Sequence, residues 1–309
     1  MKQDPCRTVS GNFLPLYRRP GLWQHAAMSS PAPTPEETVP FPLSGGETLV
    51  AAVRRSARCR RPRLRVSPRG ALVLVIPRDW PPARARRAAP FFLPWLERMW
   101  PRFAAARPAP SLPEQVALPL AGRVLAVETA GDLAAGRRQS RGAAAVVRLG
   151  AGSRRLVLLE GRETLRLFGA VGDLALCAGA LGRWCRGEAA RLLPPHVREL
   201  ALAHGFLPPR VSVRDQRSRW GSCSRPSAAV TAAQPGHIHL NWRALLLERP
   251  LLDHLCRHEL CHLRRMDHSA AYRAELARLS PDWAMLERGL SRAWRELPWW
   301  ALPPDSPGA

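Results

Sequence analysis

Residues 250–272 read PLLDHLCRHELCHLRRMDHSAAY. Pro250 suits a first helical position, Leu251, Leu252, Leu255 and Leu263 give an apolar face, and nothing before Arg265 breaks the run. The spacing predicts a helix on which His258 and His262, four residues apart, stand on one face, one turn of about 5.4 Å apart. Two imidazoles so placed can reach one zinc ion at bonds of roughly 2.0–2.1 Å. Glu259 lies about 100° round the helix from His258, so its carboxylate can flank the metal and take a proton from activated water without being a ligand.

Two more histidines compete for a third ligand position. His254 continues the stripe one turn earlier, but at about 1.5 Å rise per residue it sits roughly 12 Å along the axis from His262, beyond the span of one ion. It reads as an outer support or as a core histidine. His268 would point away if the helix ran on; Asp267 and Ser269, however, are good N-cap residues for a new helix over 270–279, so the chain can turn there. A chain that turns back can bring His268 to the metal.

With nine histidines in the chain, composition alone would produce His-Glu-x-x-His in on the order of one such sequence in a hundred. A second signature removes that ambiguity: RDQRSRWGSCS at 214–224, then HIHLNWRALL at 237–246 after a Pro/Ala-rich loop. Together with HELCHLRRMDHS these residues resemble the YgjP-like zinc metallopeptidase family, in which Arg-Trp-Gly-Ser-Cys-Ser precedes a strand ending Leu-Asn-Trp-Arg, the His-Glu-x-x-His helix and a His-Ser pair. Order and spacing match closely over 214–269 and more weakly outside it. The His-Glu-x-x-His helix is also similar to that of SprT-like proteases, which act on DNA-bound proteins.

The resemblance implies an α+β fold: a β-rich N-terminal half, then a zincin-like catalytic domain with the His-Glu-x-x-His helix packed on a small sheet. It further implies zinc held by His258, His262 and His268, with Glu259 as general base and a peptide or protein substrate laid along the strand nearest the metal helix. The sequence departs from the family at three places. Tyr272 and Arg273 stand where Phe-Trp is usual, His254 replaces an aromatic or aliphatic residue, and the loop 225–236 is longer than the family's tight turn. Tyr272 and Arg219 are the candidate substrate contacts, Arg219 because a guanidinium fixes a carboxylate or phosphate bidentately. Trp220 and Trp242 read as packing residues.

Domain organisation follows from composition. Residues 1–40 are rich in Pro, Ser, Thr and Ala without periodicity and are expected to be unstructured; a β-rich region over 41–172, a catalytic domain over 173–300 and an unstructured tail over 301–309 follow. Strand signals lie at 49–55, 62–67 and 71–77, the last two forming a hairpin, and three more strands at 116–128, 143–150 and 154–161, with a polar linker over 130–142. Residues 81–103 predict a helix that packs Phe91, Leu96, Met99 and Trp100 inward, with Pro94 a point of division. A helix over 173–193 is expected to be interrupted at Pro194-Pro195 and to resume to a stop at Gly205. Ser280-Pro281 predicts the capped start of a last helix, packed behind the metal helix.

The formal charge of +23 would suit nucleic acid, yet Lys2 is the only lysine, so the arginine content reflects GC-rich codon usage in part. The densest cluster is Arg54, Arg55, Arg58, Arg60, Arg61, Arg63 and Arg65, which could contact nucleotide or nucleic acid. Two alternatives to a peptidase follow: a nucleoside triphosphate pyrophosphohydrolase on the same metal site, an activity also ascribed to the family, and a nucleic-acid-associated module with structural zinc. No Walker-type phosphate loop supports the first. Neither a signal peptide nor an apolar run of 18 residues is present, and the seven cysteines show no framework spacing, which places the chain in a reducing, cytoplasmic setting off the membrane.

Overall fold

Strict alternation of exposed and buried side chains makes β1 (Thr38–Pro42) and the first half of β2 (Thr48–Ser56) a one-sided antiparallel pair. The computed structural model describes residues 38–106, 109–224 and 236–303. Of the segment expected to be unstructured, 1–37 lies outside the described residues, whereas 38–40 pair with β2 because Val39 and Phe41 are drawn into the core. β3 (Arg63–Val66) and β4 (Leu72–Pro77) form the expected hairpin and complete a sheet ordered β1-β2-β4-β3. Its turn closes through Gly70 at φ +89°, a backbone conformation that glycine adopts without strain.

Helix α1 (Pro82–Ala88), a 3-10 turn (Ala89–Phe92) and α2 (Leu93–Ala106) follow, and Ala85, Ala89 and Leu96 pack on this sheet in a core of its own. The division falls around Pro90; Pro94 sits in the first turn of α2, where its missing amide costs no hydrogen bond. Phe91, expected inward, is 84% exposed, because the tighter winding of the 3-10 turn moves it off the buried stripe.

The second sheet has five strands where three were expected: β5 (Gln115–Leu118), β6 (Arg123–Ala130), β7 (Ala145–Ala151), β8 (Arg154–Glu160) and β9 (Thr164–Gly169), ordered β5-β6-β9-β8-β7. Pro119 and Gly122, the latter at φ +60°, divide 116–128 into two strands. The linker over 130–142 contains α3 (Leu133–Gln139), capped by Asp132, whose carboxylate accepts from the amides of Ala134 (2.8 Å) and Ala135 (3.1 Å). α4 (Leu174–Ala203) runs unbroken through Pro194 and Pro195. The predicted interruption fails because Leu193, His196, Val197 and Ala201 extend the buried stripe of Leu181, Trp184 and Cys185, and that packing outweighs the lost backbone bonds.

The third sheet, β10 (Arg210–Arg214), β11 (Gly221–Ser224) and β12 (His237–Asn241), has β12 at its centre, parallel to β10 and antiparallel to β11. The long loop at 225–236 lies, up to 235, outside the described residues. Helices α5 (Arg249–Arg264), α6 (Ala270–Leu279) and α7 (Trp283–Arg295) complete the chain. One continuous core runs from Val116 on β5 to Leu302 and joins the second sheet, α4, the third sheet and α5. The expected tail therefore begins inside the protein: 301–303 are buried, and 304–309 lie outside the described residues.

What holds that end is Arg243, 1% exposed. Its Nε donates to the Ala301 carbonyl, and its Nη1 donates to Asp215 Oδ1 (2.6 Å) and Asn241 Oδ1 (3.1 Å). Asp215 also accepts from Arg186 (2.7 Å) and from the Trp242 indole (3.1 Å), so this buried cation is fully paired. The chain is α+β, with its strands concentrated in the N-terminal half. No helix among the described residues is long and apolar enough to cross a membrane.

Candidate metal centre

α5 buries Leu252, Leu255 and Leu260 and stops at Arg265, whose extended backbone ends the helix while its amide still donates to the Cys261 carbonyl. The turn places His258 and His262 side by side, with Nε2 atoms 3.3 Å apart. His258 Nδ1 donates to Glu287 Oε1 (2.6 Å) and His262 Nδ1 to the Arg265 carbonyl (3.0 Å). Both partners accept, so each neutral ring carries its proton on Nδ1 and presents a lone pair from Nε2. Two lone pairs at this distance repel unless a proton on one ring or a metal ion lies between them. A tetrahedral ion with bonds of roughly 2.0–2.1 Å would hold two nitrogens about 3.3–3.4 Å apart, so the pair fits a metal without rearrangement.

The expected turn brings in His268. α6 begins under Ser269, whose Oγ accepts from the Tyr272 amide (3.4 Å), and the donor atoms of His258, His262 and His268 all lie within 4.8 Å of one another. Tyr272, expected on the substrate wall, is 1% exposed and fills the space behind the imidazoles. Its ring stacks on His262 (4.7 Å, 25°) and meets His258 and His268 edge-on, while its hydroxyl donates to the His258 carbonyl (3.4 Å). Arg273 donates to the His268 carbonyl (3.0 Å) and steadies the turn.

His254 is fully buried and stands one turn back, sharing a hydrogen bond with Ser280 Oγ (2.9 Å) and placing Nε2 3.4 Å from Glu287 Oε1. Ser280 is thus engaged by His254 and does not cap α7, which starts after Asp282 with no side-chain bond. Nothing in the local spacing of the sequence pointed to Glu287. Burial alone would raise its carboxyl, but the hydrogen bonds from His254 and His258 win and hold it well below the usual carboxylate range. Burial likewise works against charge on His258, yet Glu287 raises it overall. His262 has no such acid; burial and the charge of His258 push it down to about 4. The two rings are therefore not both protonated: a proton on His258 disfavours one on His262.

Glu259, the residue after His258, lies against Gly221 of the RWGSCS turn. It is 4% exposed, and burial raises its carboxyl to about 7 against the charges of His258 and Arg219. Among the described residues its buried Oε2 has no hydrogen-bond partner. Gly221 permits this position: a Cβ there would lie 2.4 Å from Glu259 Oε1. Arg219 is exposed, and its backbone carbonyl and that of Gln216 accept from Asn241 Nδ2 (2.9 and 2.7 Å), which ties the RWGSCS turn to the end of β12. Trp220 and Trp242 are packing residues; the Trp220 indole donates to the Leu290 carbonyl (3.0 Å).

Three imidazoles around one point, with a desolvated carboxylate beside them, have the make-up of a metallohydrolase centre. The model of the YgjP-like metallopeptidase domain matches residues 60–293, and the chain belongs to that family, a family of hydrolases that work with a metal. No curated protein and no solved structure matches the chain.

Proposed function

We propose that this protein is a zinc-dependent metallopeptidase in which His258, His262 and His268 hold the ion and Glu259 is the general base. The observation that carries the reading is the 3.3 Å approach of the two Nε2 atoms beside a buried carboxylate with one unpartnered oxygen. A set of three imidazole nitrogens suits zinc and leaves a fourth position open. Zinc bound there supplies Lewis acidity, which acidifies water and polarises a carbonyl.

The chain's own residues do the rest. Glu259 accepts the proton of the attacking water at Oε2, and its elevated pKa suits a base working near neutrality. Glu287 and the Arg265 carbonyl fix the tautomers of His258 and His262, and Tyr272 keeps both rings from turning. β11 is the outer strand of its sheet, paired on one side to β12, so its other edge can take an extended peptide as an added strand. Arg219, with no ion pair among the described residues, stands exposed at the mouth to meet a substrate carboxylate.

Glu259→Gln tests this reading. It keeps the shape of the side chain and removes the base, so the variant folds and binds zinc while turnover on unfolded proteins and peptides falls by about 10²-fold or more. The same pair of proteins, assayed against nucleoside triphosphates, separates the alternatives. Glu259-dependent pyrophosphate release without proteolysis would replace the peptidase reading.

A further inference from the structure

Two histidines that the candidate centre does not use stand on the other face of the third sheet. In β12, Ile238 and Leu240 are fully buried in the core, so strand alternation puts His237 and His239 on the outer face, where both are half-buried. Their ring centroids are 4.0 Å apart. β10 runs alongside with Ser212 opposite His239. Ser212 Oγ lies 2.7 Å from His239 Nδ1 and 3.2 Å from His237 Nε2, so one nitrogen from each ring aims at a single point.

A hydroxyl carries one hydrogen and can donate to one of these nitrogens; the other must itself be protonated and donate to Oγ. Replacing that bridge by a metal ion would let both nitrogens use their lone pairs at once. The rings are prepared for it: burial first, then Arg210 and Arg214, keep His237 below its ordinary pKa, and burial, His237 and Arg214 do the same for His239, so both are neutral near pH 7. Neither ring has a carboxylate partner among the described residues, which excludes the oxygen-seeking ions Ca2+ and Mg2+. The flanking arginines repel any dication, so the site is weaker than a three-histidine centre and selects ions with strong bonds to imidazole.

We propose that His237 and His239 form a second metal site, on the face of the third sheet opposite α5, for a borderline divalent cation of the Ni2+, Cu2+ and Zn2+ class, with Ser212 giving up its bridging position. The site owes nothing to the catalytic reading and can fail or stand independently of it.

The test uses full-length protein loaded with one equivalent of zinc and dialysed against Ni2+, with both metals counted per chain. The wild type should take up about one nickel beyond its zinc. His237→Gln and His239→Gln, each of which keeps a hydrogen-bonding group beside Ser212, should each lose the nickel and keep the zinc, with melting curves matching the wild type. His262→Ala, dialysed against Ni2+ without the zinc load, should keep the nickel. A wild type that takes up none, nickel uptake that survives either glutamine substitution, or its loss in His262→Ala would overturn the assignment.

Discussion

A methyl group added at position 221 would stand 2.4 Å from Glu259 Oε1, so Gly221→Ala must displace the carboxylate by roughly an ångström. Turnover is expected to fall on the order of 10²-fold with metal content unchanged, read by peptide assay beside metal analysis. The supports of the histidines give the opposite pattern. Glu287→Gln weakens the hold on His258 and should lower metal affinity about 10–100-fold, measured by competition with a chelator. His262→Ala should lose the ion, whereas His254→Ala, whose ring lies outside the donor set, should retain it. The residues that a short motif can show were legible: four-residue spacing gave His258 and His262, and the Asp267/Ser269 turn allowed His268. Glu287 was not, because it lies 29 positions beyond His258 on a helix whose own pattern says only that it is amphipathic. Ser280 was misread for the converse reason, a good local cap signal overridden by a tertiary partner, His254.

Among the elements, the third sheet and the turn after it depend on one acid. Burial would raise the Asp215 carboxyl, but the hydrogen bond from Arg243 and the charges of Arg243 and Arg186 win and hold it below its ordinary value. A depressed folded pKa contributes stability that is fully present above the unfolded value near 3.9 and is lost as pH falls through the folded one. Asp215→Asn should therefore cost about 2–3 kcal/mol at pH 7, less than a fully buried pair because Asp215 is 32% exposed, and this cost should shrink below about pH 4. Urea titrations at pH 7 and pH 3.5 check both limits. The elements that were legible are those whose period is uninterrupted, such as the β3–β4 hairpin and α5. Those misjudged turn on prolines: Pro119 ends a strand that looked continuous, while Pro194 and Pro195 fail to end a helix held by its buried stripe.

At the scale of the whole molecule, the core of the first sheet and the larger core are joined in part through one arginine. Arg69, in the hairpin turn of the first sheet, lies 4.6 Å over the Trp299 ring and donates to the Trp300 carbonyl (3.4 Å). Trp300 itself is 5% exposed and belongs to the larger core, so Trp300→Ala should cost about 3–5 kcal/mol in chemical denaturation. The burial of 301–303 was not legible because ALP followed by PDSPGA has the composition of a tail; the carbonyl of Ala301, which accepts from the Arg243 guanidinium, and the packing of Leu302 in the larger core keep the chain inside. That bond joins residues 58 positions apart, and it sets an order in time. As the chain leaves the ribosome, His258 and His262 appear before Glu287 and well before Ala301. At about 5–20 residues per second, the 29-residue gap to Glu287 alone lasts roughly one to six seconds. During that interval the two imidazoles lack their acid partner and Arg243 lacks its carbonyl, so the newborn chain displays the histidines of the proposed centre before it can hold them still.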